Sequence, residues 1–238
     1  MMDIPAVELV LDAKAQLGEG ALWSARARLL YWIDIDPGLV HLYDPATGRN
    51  RTLELGQPIG TIVPRAKGGA MVALRDGFAS LDLESGKLTF LADPEKDLKG
   101  NRFNDGKCDP AGRFWAGTLG KVPGALYRMD RDLSVHRMFG DVKCSNGIAW
   151  SLDRKTMYYI DTPTGYVEAW DYDDATGAIA KRRVCIRIPK ENGSPDGCTL
   201  DADGNLWVAH WGGSNVTCYD PRTGKALHQI RVPASLVT

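Results

Sequence analysis

A polar side chain followed by glycine, and then by an apolar run of strand character, recurs four times along this chain. The copies are Glu19-Gly20-Ala21-Leu22-Trp23, Asp105-Gly106-Lys107-Cys108, Asn146-Gly147-Ile148-Ala149-Trp150 and Asp196-Gly197-Cys198-Thr199-Leu200. The steps from Glu19 are 86, 41 and 50 residues, close to multiples of one period in the low-to-mid forties. Repetition at such a spacing points to one supersecondary unit copied along the chain.

The rest of each unit agrees. An apolar run follows the polar–glycine step, as in Leu29–Asp34, Ala70–Leu74, Met157–Asp161 and Leu206–His210. A turn then follows, such as Tyr43-Asp44-Pro45-Ala46-Thr47-Gly48, Asp173-Asp174-Ala175-Thr176-Gly177 or Tyr219-Asp220-Pro221-Arg222-Thr223-Gly224. Pro at turn position i+1 and Gly at the close are hairpin chemistry. No segment between units has the length and period of a helix. Four-stranded units of about 40–50 residues predict a β-propeller. Five begin near residues 18, 57, 101, 143 and 193. Residues 6–12 read as a lone leading strand, and the chain stops where a sixth inner strand would begin. The expectation is therefore one all-β domain over residues 1–238, a six-bladed β-propeller plan with five full blades and an incomplete, C-terminally truncated sixth. Strand edges left open in this way favour self-association.

Charge narrows the partners. Lys plus Arg number 29 against 30 Asp plus Glu, with no basic block, which argues against nucleic acid. No apolar run reaches the roughly 20 residues of a membrane span, so no membrane partner is expected. Five cysteines without a CxxC pair, and an N-terminus (Met1-Met2-Asp3-Ile4-Pro5) without a signal-peptide pattern, suggest a cytoplasmic protein.

In a propeller, residues at the same point of successive repeats meet in space. Glu19, Asn146 and Asp196 hold that point in units one, four and five; unit three offers Asn104 and Asp105, and unit two has Ile59-Gly60 and no ligand. Carboxylate and amide oxygens without histidine or thiolate suit a hard divalent cation. The following glycines are expected to let the backbone turn tightly. Taken singly, each pair is more simply a turn dipeptide; the shared phase favours a site. Histidines 41, 136, 210 and 228 are scattered and read as surface or strand residues, although His210 could reach the channel. Cys144 and Cys198 read as small apolar side chains.

Leu17-Gly18-Glu19-Gly20, Arg102-Phe103-Asn104-Asp105-Gly106-Lys107 with Asp109-Pro110-Ala111-Gly112, Ser145-Asn146-Gly147-Ile148-Ala149-Trp150-Ser151 and Pro195-Asp196-Gly197 resemble the motifs of the senescence marker protein/gluconolactonase/regucalcin family. The resemblance implies a six-bladed propeller that hydrolyses a sugar lactone to its aldonic acid. It implies that Glu19, Asn146 and Asp196 hold one divalent cation, Ca²⁺ foremost, with Mg²⁺, Mn²⁺, Zn²⁺ and Fe²⁺ also compatible. It gives Asp196 the role of general base and assigns Arg102 and Asn104 to the substrate. Two departures stand out. The segment Leu119-Gly120-Lys121-Val122-Pro123-Gly124 is short and lacks the glutamate that family members often carry there. The family also continues past the point where Thr238 ends this chain. The alternatives are a calcium-binding regulatory propeller without turnover and a non-catalytic interaction scaffold.

Overall fold

A computed structural model describes residues 7–238. Strands β1 (Gly18–Ser24), β2 (Leu29–Asp34), β3 (Leu39–Asp44) and β4 (Arg49–Glu54) form one antiparallel meander in chain order. A second consists of β5 (Ile59–Pro64), β6 (Ala70–Leu74), β7 (Gly77–Leu81) and β8 (Leu88–Ala92). Next comes a six-stranded sheet of β9 (Arg102–Cys108), β10 (Phe114–Met129), β11 (Val135–Trp150), β12 (Thr156–Asp161), β13 (Tyr166–Asp173) and β14 (Ala178–Arg187). The last meander holds β15 (Ser194–Leu200), β16 (Leu206–Trp211), β17 (Asn215–Asp220) and β18 (Lys225–Arg231). Among the described residues no helix is long and apolar enough to cross a membrane.

The chain is thus all-β and of propeller class, as expected, but the blade count is not. Four sheets stand where five full blades and part of a sixth were expected. The reason lies in two 16-residue strands. The first half of β10 pairs with β9, from Phe114 opposite Cys108 to Leu119 opposite Arg102, and its second half pairs with β11. The expected unit boundary near residue 143 falls inside β11, which runs on unbroken, so units three and four share one sheet. The expected leading strand is also absent: residues 7–12 carry no strand and are exposed. Residue 6 and the Met1–Pro5 segment lie outside the described residues.

Identical turn chemistry closes four hairpins. Gly48, Gly86, Gly177 and Gly224 all have φ between 70 and 73°, and each donates its N–H to the carbonyl of the Asp four residues earlier, at 2.7–2.9 Å. At Asp44, Asp82 and Asp220 the side chain also accepts from backbone N–H groups inside the turn, namely those of Ala46, Ser85 and Arg222. Asp and Gly therefore divide the work, one satisfying turn donors and the other supplying the left-handed φ.

The described chain divides into two compact units, one of Ala15–Ser145 and one of Asn146–Thr238 with residues 7–14. In Ala15–Ser145, Ile33, Val40, Ile62, Val72 and Leu81 form a core between the first two sheets. Phe78, Phe103, Phe114 and Tyr127 form another between the second sheet and β9–β10. In the other unit, Ile160, Val167, Ile186, Leu206 and Val208 pack β12–β14 against β15–β18.

One device recurs in both units, buried at Asp109 and half-buried at Asp201. Asp109 accepts from the Arg113 backbone N–H and guanidinium at 2.8 Å each and from Trp115 Nε1 at 3.0 Å. Asp201 accepts likewise from the Asn205 N–H at 2.9 Å and from Trp207 Nε1 at 3.0 Å. An Asp six residues ahead of a Trp thus locks the turn into the second strand of a blade.

The glycines of the polar–glycine steps answer to a different constraint from the one expected. Gly20 has φ of 63°, but Gly106, Gly147 and Gly197 do not adopt positive φ. What Gly106 and Gly147 require is room. A Cβ on Gly106 would lie 2.3 Å from the Trp115 carbonyl oxygen, and one on Gly147 would lie 2.7 Å from that of Asp196. Gly60, at the same point in the second sheet, would bring a Cβ within 2.4–2.5 Å of the Phe103 and Asn104 backbone. Gly60→Ala should therefore cost about 1–3 kcal/mol and lower the melting temperature measured by circular dichroism; an unchanged melt would remove close packing as the reason for this glycine.

Candidate functional site

A bulge occurs at the polar–glycine step of every inner strand whose register is defined. Glu19 pairs with Ile33 and Leu22 with Tyr31, so β1 holds one residue more than β2 between them. Likewise Phe103 and Gly106 of β9 oppose Thr118 and Ala116, and Pro195 and Cys198 of β15 oppose His210 and Val208. In the second sheet the extra residue is Gly60. A bulge leaves one residue out of the ladder and re-aims its side chain. Glu19, the Asn104-Asp105 pair and Asp196 all lie at or beside such a point.

Within Ala15–Ser145, two of the predicted residues, Arg102 and Asn104, touch each other. Arg102 is half-buried. Its Nη1 donates to the Phe103 carbonyl at 3.0 Å and to Asn104 Oδ1 at 2.8 Å. Asn104 is 6% exposed and donates its Nδ2 to the Ser145 carbonyl at 2.8 Å. One end of the amide thus grips β11 while the other aims Arg102. Burial lowers the Arg102 pKa from its ordinary value, while the neighbouring Asp36, Cys144 and Glu19 push it back up. Glu19 therefore lies within electrostatic reach of the guanidinium, which remains a cation. Asp105 retains partial exposure and accepts from the Gly106 N–H at 2.6 Å. Burial pushes its carboxyl up, with Lys107 and that N–H pulling the other way.

Within Asn146–Thr238, two more of the predicted residues come together. Asn146 and Asp196 are 4% and 5% exposed. Asn146 donates its Nδ2 to Thr162 Oγ1 at 2.8 Å, and Thr162 Oγ1 donates to the Pro195 carbonyl at 2.8 Å. This relay ties Asn146 to the peptide preceding Asp196 and turns its Oδ1 away from Thr162. The closeness of Gly147 to the Asp196 carbonyl packs the two strands backbone to backbone. Amide and carboxylate oxygens are the donor types that suit a cation such as Ca²⁺ or Mg²⁺. Among the described residues no three His, Cys, Asp or Glu side chains cluster as a metal site, so a cation here would draw on amide oxygens such as Asn146 Oδ1 beside carboxylates.

Other polar and thiol side chains have structural work. Asp34 accepts from the backbone N–H groups of Gln16 and Leu17 at 2.9 and 2.8 Å. His210, which could have lined a channel, is fully buried; its Nδ1 bonds the Asn192 carbonyl at 3.0 Å and its Nε2 the Tyr219 hydroxyl at 3.2 Å. Burial pushes the thiols of Cys108, Cys185 and Cys218 up to about 11, away from reactivity. Thr162, Ser145 and Asp36 were not singled out, because none stands at the repeated polar–glycine position. Their partners are set by neighbouring strands and leave no local signal.

The sequence matches the SMP-30/Gluconolactonase/LRE-like region over residues 17–238. It is 37% identical to regucalcin of Xenopus laevis over 241 residues, covering 98% of this chain and 81% of that protein. It is also 37% identical over 234 residues to YvrE of Bacillus subtilis, provisionally named a sugar lactone lactonase, covering 97% of this chain and 80% of that one. Among solved structures, a calcium-binding protein, regucalcin, from Agrobacterium tumefaciens superposes with a TM-score of 0.88 at 30% identity, over 93% of this chain and 76% of the other.

Two histidines give the protein a defined pH response. Burial lowers the pKa of His210 against the pull of the Asn192 carbonyl, and lowers that of His41 against the pull of Asp34. The folded chain keeps both rings neutral where the unfolded chain would bind protons. Stability is complete above the ordinary histidine value and declines as pH falls through about 6.5 towards the lowered folded values. The urea midpoint should drop between pH 7.5 and pH 5.5 by the equivalent of roughly 1 kcal/mol, and less in His210→Gln; a midpoint that rises on acidification would contradict this assignment.

Proposed function

The chain belongs to the SMP-30/Gluconolactonase/LRE-like family, and from that premise we propose that it hydrolyses a sugar lactone of the aldonolactone class to the open aldonic acid, using one divalent cation. The observation that carries the reading is the buried pair Asn146 and Asp196, coupled through Thr162. A carboxylate and an amide oxygen on neighbouring inner strands are the hard donor types that a dication such as Ca²⁺ takes. YvrE, at 37% identity, carries the sugar-lactone name that motivates the substrate class.

In this reading Glu19, Asn146 and Asp196 would hold the cation, which would supply Lewis acidity towards the lactone carbonyl and lower the pKa of water. Arg102, aimed by Asn104, donates to the lactone oxygens and steadies the negative charge that develops on the carbonyl oxygen. The Asp196 carboxylate takes a proton from the attacking water as its oxygen bonds to the carbonyl carbon. The ring C–O bond then breaks and the departing ring oxygen takes a proton to become a hydroxyl. The new carboxylic acid ionises at neutral pH, so each turnover releases one proton. A second reading, a calcium-binding protein without turnover, draws support from the name of the Agrobacterium relative.

A pH-stat assay on a panel of aldonolactones, with and without chelator, separates the two. Acid release that stops with chelator and returns with added cation supports hydrolysis. Tight calcium binding with no acid release supports the second reading, and neither result leaves both without a basis. Asp196→Asn should reduce kcat by about 10²-fold or more, and Glu19→Gln and Asp196→Asn should each weaken cation binding in calorimetry. Unaltered cation affinity in either variant would remove that residue from the ligand set.

A further inference from the structure

We propose that Glu95 is a positioning residue of this site, clamping Asn101 and the 119–124 segment so that Arg102 is presented to the lactone; the inference rests on the lactonase reading. Glu95 lies in the connection between β8 and β9, outside the polar–glycine repeat. Its Oε1 accepts from Thr118 Oγ1 at 2.8 Å and from the Tyr127 hydroxyl at 3.1 Å. Its Oε2 accepts from Asn101 Nδ2 at 2.9 Å. The three donors are 1%, 5% and 7% exposed. Asn101 in turn accepts the Val122 N–H on its Oδ1, at 3.4 Å.

These bonds surround Arg102. Asn101 is its chain neighbour, and Leu119, where the segment begins, pairs with Arg102 on one side and with Cys144 on the other. The segment is also held too closely to accept side chains at two points. A Cβ on Gly120 would lie 2.1 Å from Asn101 Oδ1, and one on Gly124 would lie 2.0 Å from Thr118 Oγ1. The Lys121 side chain lies over Gly100, where a Cβ would meet it at 3.1–3.5 Å. One carboxylate therefore sets three things together: the start of β9, the bend within β10 and the path of residues 119–124. The choice of a carboxylate is informative. Three neutral donors converge on it, and a glutamine would offer one acceptor oxygen and turn an N–H₂ towards another donor.

The test exchanges the roles of the two partners. Glu95→Gln and Asn101→Asp, made singly, each break the Glu95–Asn101 bond, the first by opposing two donors and the second by opposing two carboxylates. Each should raise KM for the aldonolactone roughly tenfold, with a smaller change in kcat. The double variant Glu95→Gln/Asn101→Asp re-forms the bond with donor and acceptor exchanged and keeps an acceptor for the Val122 N–H, so KM should return towards that of the parent. Tryptic cleavage after Lys121 gives a readout independent of activity: faster in each single variant, slowed again in the double. An active parent whose KM is unmoved by both single variants overturns the positioning role, as does a loss that the double variant fails to rescue. A parent that hydrolyses none of the lactones overturns the function reading and the substrate-positioning role with it. Cleavage then judges the clamp alone, and rates equal to the parent's in both single variants overturn that too.

Discussion

Main chain laid directly on main chain is the constraint from which the inner strands take their form. At Gly60, Gly106 and Gly147 the neighbouring carbonyl or peptide carbon comes so near that no side chain of any kind fits. Interiors are close-packed and yield little to an added methyl, so these positions admit only glycine whatever their φ. The residue immediately before the glycine inherits a fixed direction. That residue is isoleucine in the second sheet and aspartate or asparagine before Gly106 and Gly147. Packing thus comes first, and chemistry is placed upon it.

Magnitudes separate the polar contacts that hold the fold from those that decorate it. The pair Lys14–Asp12 has side chains 81% and 55% exposed, and such pairs contribute little after solvent screening. Arg113–Asp109 is of another kind, with side chains 10% and 0% exposed and the carboxylate also bonded by Trp115. Removing one partner there would leave a buried charge, a loss on the order of 3–5 kcal/mol. Asp201 offers the same design with neutral donors, Asn205 and Trp207, in place of the arginine.

Much of this was legible before any coordinates. Apolar runs such as Leu29–Asp34 and the glycine-closed turns are local, so strands and hairpins followed from them. The beginnings expected near residues 18, 57, 101 and 193 lie within two residues of β1, β5, β9 and β15. The merging of units three and four was not legible. Whether Gly120 to Gly124 ends a strand or continues one depends on Asn101 and Glu95, some twenty residues away, and nothing in Leu119–Gly124 itself announces it. The site divided in the same way. Arg102 followed from the family resemblance, and Glu19, Asn104, Asn146 and Asp196 stood in phase with the repeat. Glu95 and Thr162 did not, because a supporting residue need only reach its partner and carries no period.

Every sheet is assembled from a contiguous stretch of chain, each strand pairing with the one made just before it. Pairing of this kind closes small loops, so its entropic cost is met early and in small steps. During synthesis the N-terminal meander can zip as soon as β4 has emerged, while later residues are still being added. The two 16-residue strands are the exception. Until β12 is available, the second half of β11 is a bare ladder of N–H and C=O groups, and that interval is when a nascent chain of this design is most open to pairing with a stranger.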